Sequence, residues 1–321
     1  MNSSKFEPQR IDPVLEGIHR PLWSVMIPTF NCAKYLRQTL ESVLSQDPGP
    51  GQMQIEVVDD SSTNDDPEAV VREVGNGRVE FYRNPTNTGY CTLNFNVCLK
   101  RSCGHLIHIL HGDDYVLPGF YSKIELLARQ HPDCAIYSTR SFFVNESGVI
   151  TYLSDRKPEL EKPANCVRAF WFGTPIQCAG AVVRREFYEH NGGFREDLMH
   201  CADWEMWGRA WLLGNGILSP DILSCYRFFD GYDTSRFMRT AENLRDRQRC
   251  LLIFAENFPD YPVRTAQREL SQVAFEQINH MKAVGDSEAA DAAMKFYRGI
   301  TPWKLRFKRV VKRELMRILF E

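Results

Sequence analysis

No segment of this chain is apolar for long enough to cross a bilayer, so a bundle of membrane spans is not expected. An apolar start is missing too. Met1 to Arg20 is polar and broken by Pro8 and Pro13, so no secretory signal is expected and the cytoplasm is the expected compartment. Charge is not biased to one sign. The 321 residues carry 39 Lys and Arg against 41 Asp and Glu, which supplies no field for nucleic acid, and no nucleic-acid motif compensates. Cysteines stand at positions 32, 91, 98, 103, 134, 166, 178, 201, 225 and 250, but none forms a Cys-x-x-Cys pair, which argues against a zinc knuckle or a thioredoxin-like centre. Several lie in apolar runs, as Cys178 and Cys225 do, and read as buried free thiols of a reducing compartment. The length allows one large or two modest domains.

Against these absences one segment stands out. Leu106-Ile107-His108-Ile109-Leu110 runs into His111-Gly112-Asp113-Asp114. This reads as a buried strand that delivers two adjacent carboxylates to one place. Such a pair repels itself unless a cation lies close by, and oxygen ligands at a strand end suit Mg²⁺ or Mn²⁺. A solvated acidic turn before a helix starting near Pro118 would show the same letters.

The flanking pattern favours a site. Strands are expected at Trp23–Ile27, stopped by Pro28, then at Gln54–Val58, Val79–Tyr82 and Leu106–Leu110. Helices are expected at Ala33–Gln46, with Leu36, Leu40, Val43 and Leu44 on one face, at Pro67–Val74 and at Tyr90–Arg101. This alternation argues for an α/β protein with a mostly parallel central sheet. Ligands of such sheets bind beyond the carboxyl ends of the strands. Three of those ends are polar: Thr29/Asn31, Asp59/Asp60 and Asp113/Asp114. Farther on, a hairpin is expected around Asn145–Gly148, strands at Cys178–Val183 and Ile222–Phe229, and a helix at Ala202–Leu213. From Arg239 the chain reads helical, with segments at Leu244–Phe258, Thr265–Val284 and Ser287–Phe296. The tail carries seven basic residues against Glu314 and Glu321 over 301–321, a net of +5, and its apolar residues can share one helical side. A basic amphipathic helix over 302–320 would lie on an anionic membrane surface, or dock on the protein with a solvated basic face.

Taken in order, Ser24-Val25-Met26-Ile27-Pro28-Thr29-Phe30-Asn31, Glu56 to Asn64, Asn84 to Gly89, Leu110 to Asp114, Gly192-Gly193-Phe194 and Ala202 to Trp207 resemble the signature of family 2 glycosyltransferases, over about residues 22 to 235. The resemblance implies a GT-A fold, an inverting transfer from a nucleoside-diphosphate sugar, with a UDP-sugar as the leading donor, and a divalent metal, Mn²⁺ or Mg²⁺. It implies a division into an extension at 1–21, a GT-A domain at 22–235 and a helical region at 236–321. Within the GT-A domain, 22–115 would bind the nucleotide and 116–235 the acceptor. By position, Pro28, Thr29, Asn31, Asp59, Asp60, Asn87, Asn96 and Asp113 would face the donor. His111, Asp113 and Asp114 would hold the metal, and Asp203 would be the catalytic base with Trp204 and Glu205 beside the acceptor. Helix capping is the plainer role for Asp203, and core packing the plainer one for at least one of Trp204 and Trp207.

Three departures from the family pattern are visible. His111 stands where the metal motif usually opens with an acid, Leu93-Asn94-Phe95-Asn96 lacks an expected Arg, and Phe229 stands where His is frequent. They motivate a second reading, a catalytically silent nucleotide-sugar-binding or scaffold subunit. A sugar-nucleotide pyrophosphorylase fits less well, because Pro28-Thr29-Phe30-Asn31 replaces a Gly-rich basic loop after the first strand. The expected acceptor is a glycan or a lipid-linked saccharide of bacterial surface polysaccharide synthesis. The C-terminal helices have lengths that suit acceptor closure, membrane docking or a homodimer.

Overall fold

The computed structural model describes residues 7–163, 167–228 and 233–302. Strand β1 (Trp23–Thr29) is buried along its whole length and forms the axis of the first half. It pairs in parallel with β2 (Met53–Asp59) on one side and β4 (Leu106–Ile109) on the other, while β3 (Glu80–Arg83) extends the parallel set beyond β2. Helices α1 (Ala33–Leu44), α2 (Pro67–Gly75) and α3 (Cys91–Arg101) make the connections. On α1, Leu36, Leu40 and Val43 face the core as their spacing demands, with Leu44 at its margin. Pro28 does not stop β1. Pairing with β4 ends at Met26 opposite Ile109, and beyond it, on that side, the carbonyl of Pro28 accepts from Gly112 N at 3.1 Å. The missing N–H of proline therefore costs no ladder bond there.

The second half is mixed. After β5 (Tyr115–Val116) and α4 (Phe120–Gln130), strand β6 (Ile136–Val144) turns through Asn145–Gly148 into β7 (Ile150–Leu153). Strand β8 (Ala181–Arg184) leads into α5 (Arg185–Asn191), and α6 (Ala202–Gly214) into β9 (Gly216–Arg227). The sheet order is β3-β2-β1-β4-β8-β6-β9-β5, with β7 on β6. The β6–β9 pair is parallel, whereas β4–β8, β6–β8, β6–β7 and β5–β9 are antiparallel. Cys178–Gly180, expected as strand, forms a 3-10 turn just before β8. Strand β9 begins earlier than its apolar pattern indicates, because Pro220 and Asp221 are extruded as an irregularity between Ser219 and Ile222.

The chain divides into two compact units, Met1–Phe229 and Asp230–Glu321. In the second, α7 (Asp233–Thr240), α8 (Glu242–Asn257), α9 (Val263–Ala283) and α10 (Ser287–Ile300) pack around Leu244, Ala274, Ile278, Ala293 and Tyr297. No helix of the described residues is long and apolar enough to cross a membrane. The described cysteines are all free. Cys91 is exposed, Cys32 and Cys103 are half-buried, and the other six are buried. Cys166, Phe229 and the basic tail from Trp303 onward lie outside the described residues.

Candidate active site

Parallel pairing brings the ends of β1, β2 and β4 to one edge, so Thr29, Asp59–Asp60 and His111–Asp114 meet there. The close approach depends on Gly112. A Cβ at that position would come within 2.8 Å of Cys32 Sγ and 2.9 Å of Thr29 Oγ1. Buried Thr39 on α1 fixes the same turn, its hydroxyl reaching the carbonyls of Gly112 at 3.0 Å and Asp114 at 2.7 Å. Pro28 and Thr29 are buried, and the Thr29 hydroxyl faces Cys32 Sγ. Burial, helped by the charge of Asp113, pushes the Cys32 thiol up to about 12, so this cysteine stays protonated.

Asp59 and Asp60 are fully engaged by the protein. Asp59, with no exposed surface, pairs with Arg83 Nε at 2.7 Å and accepts from the backbone and hydroxyl of Ser62. Asp60 accepts from Asn84 Nδ2 at 2.7 Å, Thr88 N at 3.0 Å and Thr88 Oγ1 at 2.7 Å. Asn31, in the left-handed conformation at φ 50°, accepts from Thr63 N at 2.9 Å and Asn64 N at 3.0 Å. Asn87 is exposed, donates to the Asp60 carbonyl and accepts from Gly89 N. These four expected donor-facing residues therefore shape the loops after β2 and β3 as their first task.

The second acidic pair differs. One ligand atom each from His111, Asp113 and Asp114 lies within 4.8 Å of the others. Asp114 is wholly buried. Its Oδ1 accepts from Arg227 N at 2.8 Å, whereas its Oδ2 has no hydrogen-bond partner among the described residues and sits 3.8 Å from His111 Nδ1. The buried Nε2 of His111 is likewise without a partner among them. His111 stacks on Phe95, with ring centroids 5.0 Å apart. Burial lowers the pKa of His111, and burial followed by the charge of Asp113 raises that of Asp114 well above the carboxylate range. Two unpartnered buried atoms beside a second carboxylate make a donor set of hard oxygens and one imidazole, which fits a divalent cation such as Mn²⁺. A cation there would favour the neutral imidazole and both carboxylates together.

Arg227, which the sequence pattern did not single out, locks this turn. The buried guanidinium reaches Asp113 O at 2.9 Å, Glu146 O at 2.9 Å and Gln38 Oε1 at 2.7 Å. It also lies over the ring of Tyr35 at 4.7 Å. The end of β4, helix α1 and the β6–β7 turn are thereby tied to one side chain.

Helix α3 performs the equivalent task for Asp203. Asn96 donates to Phe194 O at 3.0 Å and accepts from Phe194 N at 2.9 Å. Thr92 Oγ1 donates to Leu198 O at 3.0 Å, and Tyr90 OH to Glu196 O at 2.9 Å. Asn96, expected to face the donor, is buried with both amide atoms engaged by Phe194, so it supports this loop. Gly193 is required here, since a Cβ would stand 2.6 Å from Asn96 Oδ1. On the other side Arg209 holds the carbonyls of Asn191, Gly192 and Gly193 while paired with Glu205 at 2.8 Å.

The loop delivers Asp203 to the first turn of α6. The N-cap is Cys201, and Asp203 is the second helical residue, half-buried, its Oδ1 accepting from Trp204 N at 2.7 Å. Asp203 is thus not the cap. The positions expected beside the acceptor face inward instead. Trp204 is buried with Nε1 on Phe170 O at 2.6 Å, Trp207 packs edge-on against Phe194, and Glu205 is buried in its pair with Arg209. At helical spacing, only Asp203 is left on the open side of that turn.

Asp203 acts electrostatically on two groups that the second acidic pair also affects. The phenol of Tyr226, on β9, is pushed up first by burial and then by the charges of Asp114, Asp113 and Asp203 together. Cys178 is raised by burial and then by Asp203 and Asp114.

Residues 24–192 match the family model described as Glycosyl transferase family 2, and the chain belongs to that family. An uncharacterized protein of Mycobacterium tuberculosis is 30% identical over 249 residues, which are 72% of this chain and 75% of that one. Among solved structures, Staphylococcus aureus TarS 1–349 in complex with UDP-GlcNAc superposes with a TM-score of 0.62 at 18% identity, covering 87% of this chain and 81% of that one. A mannosyltransferase from Pyrobaculum calidifontis in complex with GDP-Man and Mn²⁺ gives 0.56 at 19% identity, covering 96% of this chain and 84% of that one. These likenesses establish the GT-A fold. The chain is a glycosyltransferase.

Proposed function

We propose that this enzyme transfers a sugar, with inversion, from a UDP-sugar to a hydroxyl of a glycan or lipid-linked saccharide. The observation that carries the reading is the cluster of His111, Asp113 and Asp114 beyond β4, in which buried Asp114 Oδ2 and His111 Nε2 have no hydrogen-bond partner among the described residues. Residues 22–115 provide the nucleotide half and 116–235 the acceptor half. Pro28, Thr29, Asn31, Asp59, Asp60 and Asn87 build the donor loops, with Asp113 at the diphosphate. His111, Asp113 and Asp114 would hold Mn²⁺ or Mg²⁺, which when bound supplies positive charge to the departing diphosphate. Asp203 takes the proton of the attacking hydroxyl, a poor nucleophile until a base is placed within reach. Attack from the face opposite the leaving group gives inversion in one displacement, without a covalent intermediate.

The acceptor class is favoured by the half-buried setting of Asp203, which is not sealed from an incoming hydroxyl, and by the basic tail. That tail would bring the protein to the inner face of the cell membrane. The test is a donor panel of UDP-, GDP- and dTDP-sugars with and without Mn²⁺, followed by NMR of the product's anomeric centre. Metal-dependent release of one nucleotide and an inverted linkage are expected. A retained configuration would remove the single displacement. Donor binding without turnover under any condition would favour a silent subunit.

A further inference from the structure

A cleft of about 280 Å³ opens beside β7, lined by Phe143, Tyr152, Asp155, Lys157, Thr174 and Gln177 among others. None of these residues has a part in the site described above. The volume lies at the small end of ligand pockets, nearer one sugar ring than a nucleotide.

Its chemistry is that of a carbohydrate site. Phe143 and Tyr152 meet edge to face, with centroids 5.4 Å apart, and Tyr152 is 53% exposed. A pyranose offers one apolar C–H face and a rim of hydroxyls, and an exposed ring suits the former. Polar groups suit the latter. Tyr152 OH donates to Asp155 Oδ1 at 3.0 Å, and Asp155 is loosely paired with Lys157 at 3.7 Å. The buried Oε1 of Gln177 has no hydrogen-bond partner among the described residues, and a hydroxyl would satisfy it.

Position gives the cleft its meaning. Phe143 packs against Tyr226, with centroids 5.4 Å apart, and the next residue, Arg227, donates from its backbone N to Asp114 Oδ1 at 2.8 Å. Gln177 directly precedes the 3-10 turn Cys178–Gly180, whose Ala179 carbonyl lies 3.1 Å from Nε2 of His108 on β4. The cleft is thus linked through Phe143 and Tyr226 to the strand that holds Asp114.

We infer that this cleft is an acceptor subsite that stacks a sugar ring on Tyr152 and Phe143, one position away from the ring that receives the new sugar. The acceptor is accordingly a saccharide of at least two rings, not a lone sugar or a bare lipid phosphate. This rests on the transferase reading above.

The experiment uses the full chain and saturation-transfer NMR with cellobiose, maltose, N,N′-diacetylchitobiose and the corresponding monosaccharides. Donor binding by calorimetry runs in parallel. The wild type should bind at least one disaccharide better than its monosaccharide. Tyr152→Ala and Gln177→Ala should each weaken that binding at least tenfold relative to donor affinity, with Tyr152→Phe retaining most of it. Disaccharide binding indifferent to Tyr152→Ala and Gln177→Ala would overturn the subsite, as would donor binding with no saccharide binding at all. Absence of both donor and saccharide binding in the wild type would remove the transferase reading and the subsite with it.

Discussion

Two pairs of adjacent aspartates end two strands of one sheet, and they live in opposite conditions. Asp59 and Asp60 meet Arg83, Ser62, Asn84 and Thr88, each at hydrogen-bond distance. Asp114 keeps one buried oxygen without a partner among the described residues, and burial with its neighbour Asp113 drives its pKa up. The same contrast recurs between two histidines of one segment. His108 has Tyr121 OH at 3.3 Å and Ala179 O at 3.1 Å on its two nitrogens, while His111 Nε2 is buried with no partner among the described residues. Identical dipeptides and identical ring types can thus serve architecture or chemistry. Whether their polar atoms are already satisfied tells them apart.

The largest expected effect comes from Asp114→Asn. Turnover should fall on the order of 10³-fold or more, because a ligand of the cation that would meet the charge developing on the diphosphate is lost. Stability should hold or rise in urea melts, since asparagine need not bury a charge. A strongly destabilised Asp114→Asn with residual turnover would break the contrast. Next is Asn96→Ala, which frees the Phe194 backbone that leads to Asp203. Turnover should drop by about 10- to 100-fold through misplacement, with donor KM unchanged. An effect on KM alone would return Asn96 to the donor pocket.

Asp60→Asn should do the reverse of Asp114→Asn. It should lose about 1–3 kcal/mol of stability by leaving its donors mismatched, with a weaker donor KM and kcat kept within roughly tenfold. The smallest effect is the pH slope set by His108, whose pKa burial depresses to about 3. The unfolded chain takes up this proton below about pH 6.5 and the folded protein does not. The stabilising contribution is therefore complete above that pH and declines as pH falls towards 3. In His108→Gln the urea midpoint should decline less between pH 6.5 and 5. An unchanged slope would assign the loss to other groups.

Local pattern made the first half of the fold legible. The periodicity of Leu36, Leu40 and Val43 and the apolar run of β4 needed no partner to be read. The ordered motifs pointed to the fold that the comparisons establish. What stayed hidden was long-range. Arg227 reaches Asp113 across 114 positions, and Asn96 reaches Phe194 across 98, with no spacing rule to announce them. Trp204 and Glu205 adjoin Asp203 in sequence, but the helical turn sends them inward to Phe170 and Arg209. Pro220–Asp221 concealed the start of β9, because an extruded pair looks like a turn. Neighbouring letters therefore carried less about the site than the unsatisfied atoms did.

Mn²⁺ titration of the wild type, Asp114→Asn and Asp60→Asn, followed by electron paramagnetic resonance in the presence of UDP, tests the difference between the two acidic pairs most directly. The expected result is Mn²⁺ binding in the wild type and in Asp60→Asn, and its loss in Asp114→Asn. Equal Mn²⁺ affinity in Asp114→Asn, or loss in Asp60→Asn alone, would contradict the assignment of His111, Asp113 and Asp114 as the open site.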